Sequence, residues 1–104
     1  MAEKFEMVIA IVNRGFSEEV MDAARAEGAR GGTIINARGT GTPELEKKYG
    51  ISITPEKEML MILVSADIVD NVLSAIYKRT GMASNGQGIV FSVPVSDVVG
   101  IKAA

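Results

Sequence analysis

The stretch Glu58-Met-Leu-Met-Ile-Leu-Val-Ser65 decides the fold. Its apolar side chains fill both phases of a two-residue alternation, as expected of a strand with little wet surface on either side. Asp67 follows as a candidate N-cap for a helix over Ile68 to Arg79. On that helix Ile68, Val69, Val72, Leu73 and Ile76 share one face. Lys78 and Arg79 suit the negative end of its dipole, and Gly81 its stop.

Working outward, Phe5 to Val12 reads as a strand with Phe5, Met7, Ile9 and Ile11 on one face and Val8, Ala10 and Val12 on the other. Asn13-Arg14-Gly15 breaks it. Ser17 is placed to cap a helix carrying Glu18 and Glu19 in its first turn, with Val20, Ala23 and Ala24 on its apolar face and Gly28 as its stop. Thr33 to Arg38 forms a short strand after Gly31-Gly32. A connection over about 42–57 follows, in which Pro43 to Tyr49 can form one or two helical turns and Gly50 to Pro55 is irregular. The last strand runs from Ile89 to Val93 and Pro94 ends it; Val98, Val99 and Ile101 make an apolar tail.

The order is strand, helix, strand, strand, helix, strand. It predicts one domain over 1–104 of α+β class: a ferredoxin-like βαββαβ fold, a four-stranded antiparallel sheet with two helices on one face. Helices on one face leave the other without cover, although its residues are apolar. A closed homo-oligomer packed sheet against sheet resolves that conflict; the alternative is that the C-terminal tail and the long loop cover the face within one chain.

Composition removes several classes of function. The 104 residues carry 11 Lys plus Arg against 13 Asp plus Glu, a net charge of −2 that disfavours nucleic-acid and anionic-membrane partners. There is no cysteine and no histidine, so thiol chemistry, thiolate metal sites and the commonest general base are all missing. No poised base is visible and no enzyme is expected. The Met-Ala-Glu-Lys-Phe start lacks a signal-peptide layout, which points to a cytoplasmic protein. Met7, Met59 and Met61 read as core filler, and Glu44 and Lys48 as an i, i+4 pair on a solvated helical face.

Three glycine-bearing turns stand out: Arg30-Gly31-Gly32, Arg38-Gly39-Thr40-Gly41-Thr42 and Asn85-Gly86-Gln87-Gly88. Glycines let backbone amides converge on an anion, and Arg30 and Arg38 can add charge. None matches a P-loop or a dinucleotide fingerprint.

Thr33-Ile-Ile-Asn-Ala-Arg-Gly-Thr-Gly41, Ser65-Ala-Asp-Ile-Val-Asp70, Thr80-Gly81, Asn85-Gly-Gln-Gly-Ile-Val-Phe91 and Val93-Pro-Val95 occur in an order that resembles the nitrogen-regulatory PII signalling proteins. The resemblance implies a compact homotrimer with nucleotide sites in the clefts between neighbours. It places Thr33, Arg38, Gly39, Thr40 and Gly41 at the adenine, and Asn85, Gly86, Gln87 and Gly88 around the phosphates. Lys102 is the one cation kept by a tail that contributes arginines in the family. The family places a lysine beside the phosphate-loop glycines, whereas this loop has Gln87 and no basic residue, and Pro43 stands where a glutamine helps bind magnesium and 2-oxoglutarate. Each lost charged hydrogen bond removes about 1.5–3 kcal/mol, which disfavours ATP held in the usual way. Tyr49, between Lys48 and Gly50, reads as a loop anchor rather than a modification site.

The expected function is a PII-like sensor of an adenine nucleotide (ADP, AMP, ATP or a cyclic form), signalling through its loop to a membrane transporter or an enzyme. The alternative is a trimeric scaffold that binds no nucleotide and docks a membrane protein.

Overall fold

The computed structural model describes residues 3–50 and 54–101; for Leu45 it describes the backbone alone. The elements are β1 (Phe5–Asn13), α1 (Ser17–Ala26), β2 (Thr33–Arg38), α2 (Pro43–Tyr49), β3 (Glu56–Ser65), a 3-10 turn (Ala66–Ile68), α3 (Val69–Thr80) and β4 (Ile89–Pro94). The strands form one antiparallel sheet in the order β2-β3-β1-β4, the ferredoxin-like topology that the sequence predicts.

One face of the sheet carries the core. Val8, Ala10 and Val12 of β1 and Leu60, Ile62 and Val64 of β3 are buried with Val20, Met21, Ala23 and Ala24 of α1 and Val69, Val72 and Ile76 of α3. Complete burial of a Val, Leu or Ile side chain contributes about 1.5–3 kcal/mol, so this layer is the main support of the fold. At the end of α1, Gly28 adopts φ +107, the left-handed turn that side chains with a Cβ avoid, and its amide donates to the Arg25 carbonyl at 3.0 Å.

The opposite face is apolar in cross-strand rows. Thr33, Met61, Ile9 and Phe91 are neighbours in register, as are Ile35, Met59, Ile11 and Ile89, with Leu63, Met7 and Val93 beside them. Ile89, Phe91 and Val93 are 51%, 41% and 40% exposed. No described helix of this chain lies over that face with packing comparable to that of α1 and α3 on the other side.

Several local expectations change. Ser17 begins α1 but does not cap it: the preceding residue Phe16 holds the cap position with no side-chain hydrogen bond. A carboxylate from β3 satisfies that terminus instead, with Glu58 Oε1 accepting from the amides of Gly15 at 3.1 Å and Ser17 at 3.3 Å. Asp67 does not cap α3 either. It lies in the 3-10 turn, where its amide donates to Ser65 Oγ at 3.4 Å, and α3 starts after Ile68. β1 continues through Asn13 and β3 begins at Glu56, because these ends pair with each other: Asn13 is opposite Lys57. The connection contains a formed helix, α2, on which Lys48 Nζ stands 5.6 Å from the Tyr49 ring centroid. Of the segment expected to be irregular, residues 51–53 lie outside the described residues. Among the described residues, no helix is long and apolar enough to cross a membrane.

Candidate functional site

The antiparallel register carries the start of β3 back beside the end of β1, and both meet the loop that follows α3. Asn13 is the hub. Its amide donates to the Gly86 carbonyl at 2.9 Å, and its side-chain Nδ2 donates to the Asn85 carbonyl at 3.0 Å. Lys57 Nζ in turn donates to Asn13 Oδ1 at 2.7 Å. The base of the long connection closes the other side, with the Gly39 amide donating to the Pro55 carbonyl at 2.7 Å. A Cβ at Gly39 would lie 3.4 Å from Pro55 and 3.5 Å from Lys57 Cε, so the backbone there runs tight against the lysine stem.

Two of the glycine turns singled out by sequence are therefore joined, Gly39 to Asn85–Gly88, through Lys57 and Asn13. The ammonium group of Lys57 is half-buried and has one protein acceptor among the described hydrogen bonds. It is the cation that sequence reading misses. The residue falls inside the 42–57 connection when β3 is started at Glu58, and only the longer strand sets it opposite Asn13.

Other predicted residues are placed differently. Arg38 is exposed at the end of β2, opposite Glu56 in register. It shares a strand phase with Ile34 and Asn36, whose partners Leu60 and Glu58 point to the helix-covered face, whereas Lys57 and Asn13 share the open-face phase. Glu56 is itself engaged by Arg14 in an exposed ion pair. Thr33 pairs with Met61, five positions along β2 from Arg38, a distance of about 17 Å at the usual rise per residue. Thr33 and Gly39 therefore cannot touch one small ligand within a single copy. Thr40 is exposed, and Gly41 is partly covered. Lys102 lies outside the described residues.

The loop over 81–88 is compact. Gly86 and Gly88 are buried, while Asn85 and Gln87 are exposed. Packing requires both glycines: a Cβ at Gly88 would stand 2.5 Å from the Thr80 carbonyl oxygen and 2.7 Å from Val12, and one at Gly86 3.0 Å from that same oxygen. Gln87 holds φ +45, uncommon for a residue other than glycine.

A separate recess of about 410 Å³ opens at the far end of the strands, lined by Phe5, Ala29, Arg30, Gly31, Leu63, Ser65 and Ile101 among others. This places the third glycine turn, at Arg30-Gly31, away from the other two. Eight positions of β3 separate Ser65 from Lys57, about 26 Å of strand. A more open groove of about 480 Å³ lies between α3 and β4, with Leu73, Tyr77, Met82 and Ile89 in its wall. Among the described residues, no group of three or more Asp and Glu side chains is arranged to hold a metal ion.

Compared with known protein families, residues 5–104 match the one described as nitrogen regulatory protein P-II. A glnB-like protein 1 from the nitrogen fixation nifHD region of Methanococcus maripaludis is 31% identical over 103 residues, covering 93% of each chain. The nitrogen regulatory protein P-II homolog of Arabidopsis thaliana is 30% identical over 105 residues, which is 95% of this chain and 54% of that one. The chain thus spans about half the length of the plant relative. Among solved structures, Arabidopsis thaliana PII bound to citrate superposes with a TM-score of 0.69 at 29% identity, covering 96% of this chain and 82% of that one. The GlnK–ATP complex of B. subtilis gives a TM-score of 0.71 at 23% identity, covering 92% and 85%, a likeness of fold.

Proposed function

Because the chain belongs to the nitrogen regulatory protein P-II family, and is thereby a regulatory signalling protein rather than an enzyme, we propose that it works as a cytoplasmic homotrimer sensing an adenine nucleotide between subunits. The observation that carries this reading is the Lys57–Asn13–Asn85 chain of hydrogen bonds, which joins the base of the long connection to the glycine loop. A ligand that draws the Lys57 ammonium toward its own oxygens perturbs both segments at once. Gly39, Thr40 and Gly41 flank the ligand on one side and Asn85 to Gly88 on the other; Thr33 and the recess near Gly31 and Ile101 are contributed by a neighbouring copy. Arg38 adds charge at the rim, and Lys102 is a further cation that the sequence offers to the ligand.

The connection between β2 and β3, over 39–55, is the output, presenting α2 to a transporter or an enzyme. For the ligand to act as a signal it must bind one state of that loop better than another. The citrate-bound Arabidopsis relative supports an anion-holding role for this fold, since citrate is a small polyanion.

Calorimetric titration with ATP, ADP, AMP, cyclic AMP and cyclic di-AMP, with and without magnesium, tests the reading. One saturable site per subunit supports it; no heat from any nucleotide with folded, trimeric protein refutes it. A second reading, a trimeric scaffold without a nucleotide, is favoured by one specific observation: the amides of Gly86 and Gln87 already donate to Ser84 and that of Gly88 to Thr80 at the end of α3. The same titration separates the two.

A further inference from the structure

The amides of Gly86, Gln87 and Gly88 are not open to an anion, because each already has an acceptor within the chain. The Gly86 amide donates to Ser84 Oγ at 3.2 Å, the Gln87 amide to the Ser84 carbonyl at 3.1 Å, and the Gly88 amide to the Thr80 carbonyl at 2.6 Å. Two of the three acceptors belong to Ser84. Its hydroxyl proton goes to the Gly81 carbonyl at 2.7 Å, which fixes the rotamer and leaves an oxygen lone pair for Gly86. On the outer side, Asn13 holds the carbonyls of Asn85 and Gly86. Every hydrogen bond named here stays within the protein.

We propose that Ser84 is a latch: a positioning residue whose hydroxyl holds the Gly86 amide away from ligand oxygens and so sets how tightly, and in which state of the loop, a phosphate is accepted. The proposal rests on the reading that this loop receives the phosphates. Phosphate binding then exchanges the Gly86–Ser84 bond for a Gly86–phosphate bond, with the hydroxyl free to turn from Gly81 toward the ligand. A loop closed in this way selects against ligands with too few oxygens to replace what they displace. The latch also couples to the connection, because the Asn85 and Gly86 carbonyls are tied to Asn13 and hence to Lys57.

The opposing predictions are sharp. If Ser84 only supports the loop, removing its hydroxyl loosens the site and weakens binding. If it is a latch, removal releases one donor in advance, and binding of magnesium–ATP tightens by about three- to tenfold, the worth of one ordinary hydrogen bond. The experiment compares full-length wild type, Ser84→Ala and Ser84→Thr by calorimetry with magnesium–ATP and by amide hydrogen exchange read at Gly86 by NMR. The expected result is a protected Gly86 amide in ligand-free wild type and at least tenfold faster exchange in Ser84→Ala. ATP binds the alanine variant more tightly, and both properties return toward wild type in Ser84→Thr, which keeps the hydroxyl.

Unprotected Gly86 in the wild type overturns the latch whatever binds. Equal or weaker ATP binding by Ser84→Ala, with Gly86 released, also overturns it. If Gly86 behaves as expected but none of the three proteins takes up ATP, the latch's gating of a phosphate falls, and the nucleotide reading falls with it only when ADP, AMP, cyclic AMP and cyclic di-AMP are silent too. The exchange data distinguish that failure from the others.

Discussion

Replacing Phe91 with glutamate tests whether the open face is an intersubunit surface. Phe91 is 41% exposed and lies in register with Ile9, Met61 and Thr33, outside the core beneath α1 and α3. Covering the rest of its ring by another copy is worth about 1 kcal/mol per subunit, a fraction of the roughly 1.5–3 kcal/mol of full burial. A carboxylate in the same place gives up that gain and faces a desolvation cost of several kcal/mol with no cation in its row. The penalty is at least about 4 kcal/mol per subunit, or roughly three powers of ten in each association constant. The folded monomer is little affected, because Phe91 does not belong to the buried cluster. Sedimentation velocity at micromolar concentration is expected to give wild type at the mass of three chains and Phe91→Glu at that of one, with the same far-UV circular dichroism. Lys78→Glu, on the exposed side of α3, is the control and keeps the wild-type mass. A monomeric wild type, or a Phe91→Glu protein that stays assembled, refutes the reasoning.

Lys57→Met removes the ammonium that bonds Asn13 and is expected to weaken ATP binding about ten- to hundredfold, the loss of one charged hydrogen bond, while thermal unfolding moves little; unchanged calorimetric affinity removes Lys57 from the site. Gly88→Ala puts a Cβ 2.5 Å from the Thr80 carbonyl oxygen and costs about 1–3 kcal/mol in urea unfolding; a silent substitution means the loop is looser than described. Gln87→Gly relieves a left-handed backbone that costs about 1–2 kcal/mol, less the added entropy of glycine, so the net gain is about 0.5 kcal/mol. Its melting temperature should rise by about 2–4 °C, and a fall shows that the Gln87 side chain carries stability of its own.

The sheet was legible in sequence because its signal is local. Alternation in β1 and β3, apolar spacing in α1 and α3 and glycine at 28 each act over a few residues, and the observed elements follow them. Helix caps were not legible where a distant residue does the capping. Ser17 carries a capping residue's chemistry, yet the acceptor at that terminus is Glu58, 41 positions away on the neighbouring strand of the sheet. Ser65 takes the position expected of Asp67 because the strand runs directly into a 3-10 turn. Lys57 was hidden for the same reason. A lysine beside Pro55 and Glu56 looks like part of a solvated loop until pairing to Asn13 extends the strand. The glycine loop was found, but its pattern could not reveal that its amides are taken up by Ser84 and Thr80 and its Asn85 and Gly86 carbonyls by Asn13. The tight approaches at Gly86 and Gly88 give those glycines a packing role independent of any ligand.

The open face and the divided site pose one physical problem. Lys57, Asn13 and the glycine loop occupy one end of the central strands, while the recess near Gly31, Leu63 and Ile101 occupies the other, about 26 Å away. A nucleotide spans far less than that, so one copy cannot offer both ends to one ligand. In the proposed trimer, the start of β3 in one subunit would meet the recess end of the next, so that each cleft would take its two halves from different chains. The exposed apolar rows through Phe91, Ile89 and Val93 would supply the attraction for that assembly. Affinity for the ligand and assembly are then linked: whatever binds across the cleft stabilises the ring by its own binding free energy. Dilution of wild type should therefore release monomers at a higher protein concentration without ATP than with saturating ATP. A dissociation midpoint that saturating ATP does not move refutes a binding site shared between chains.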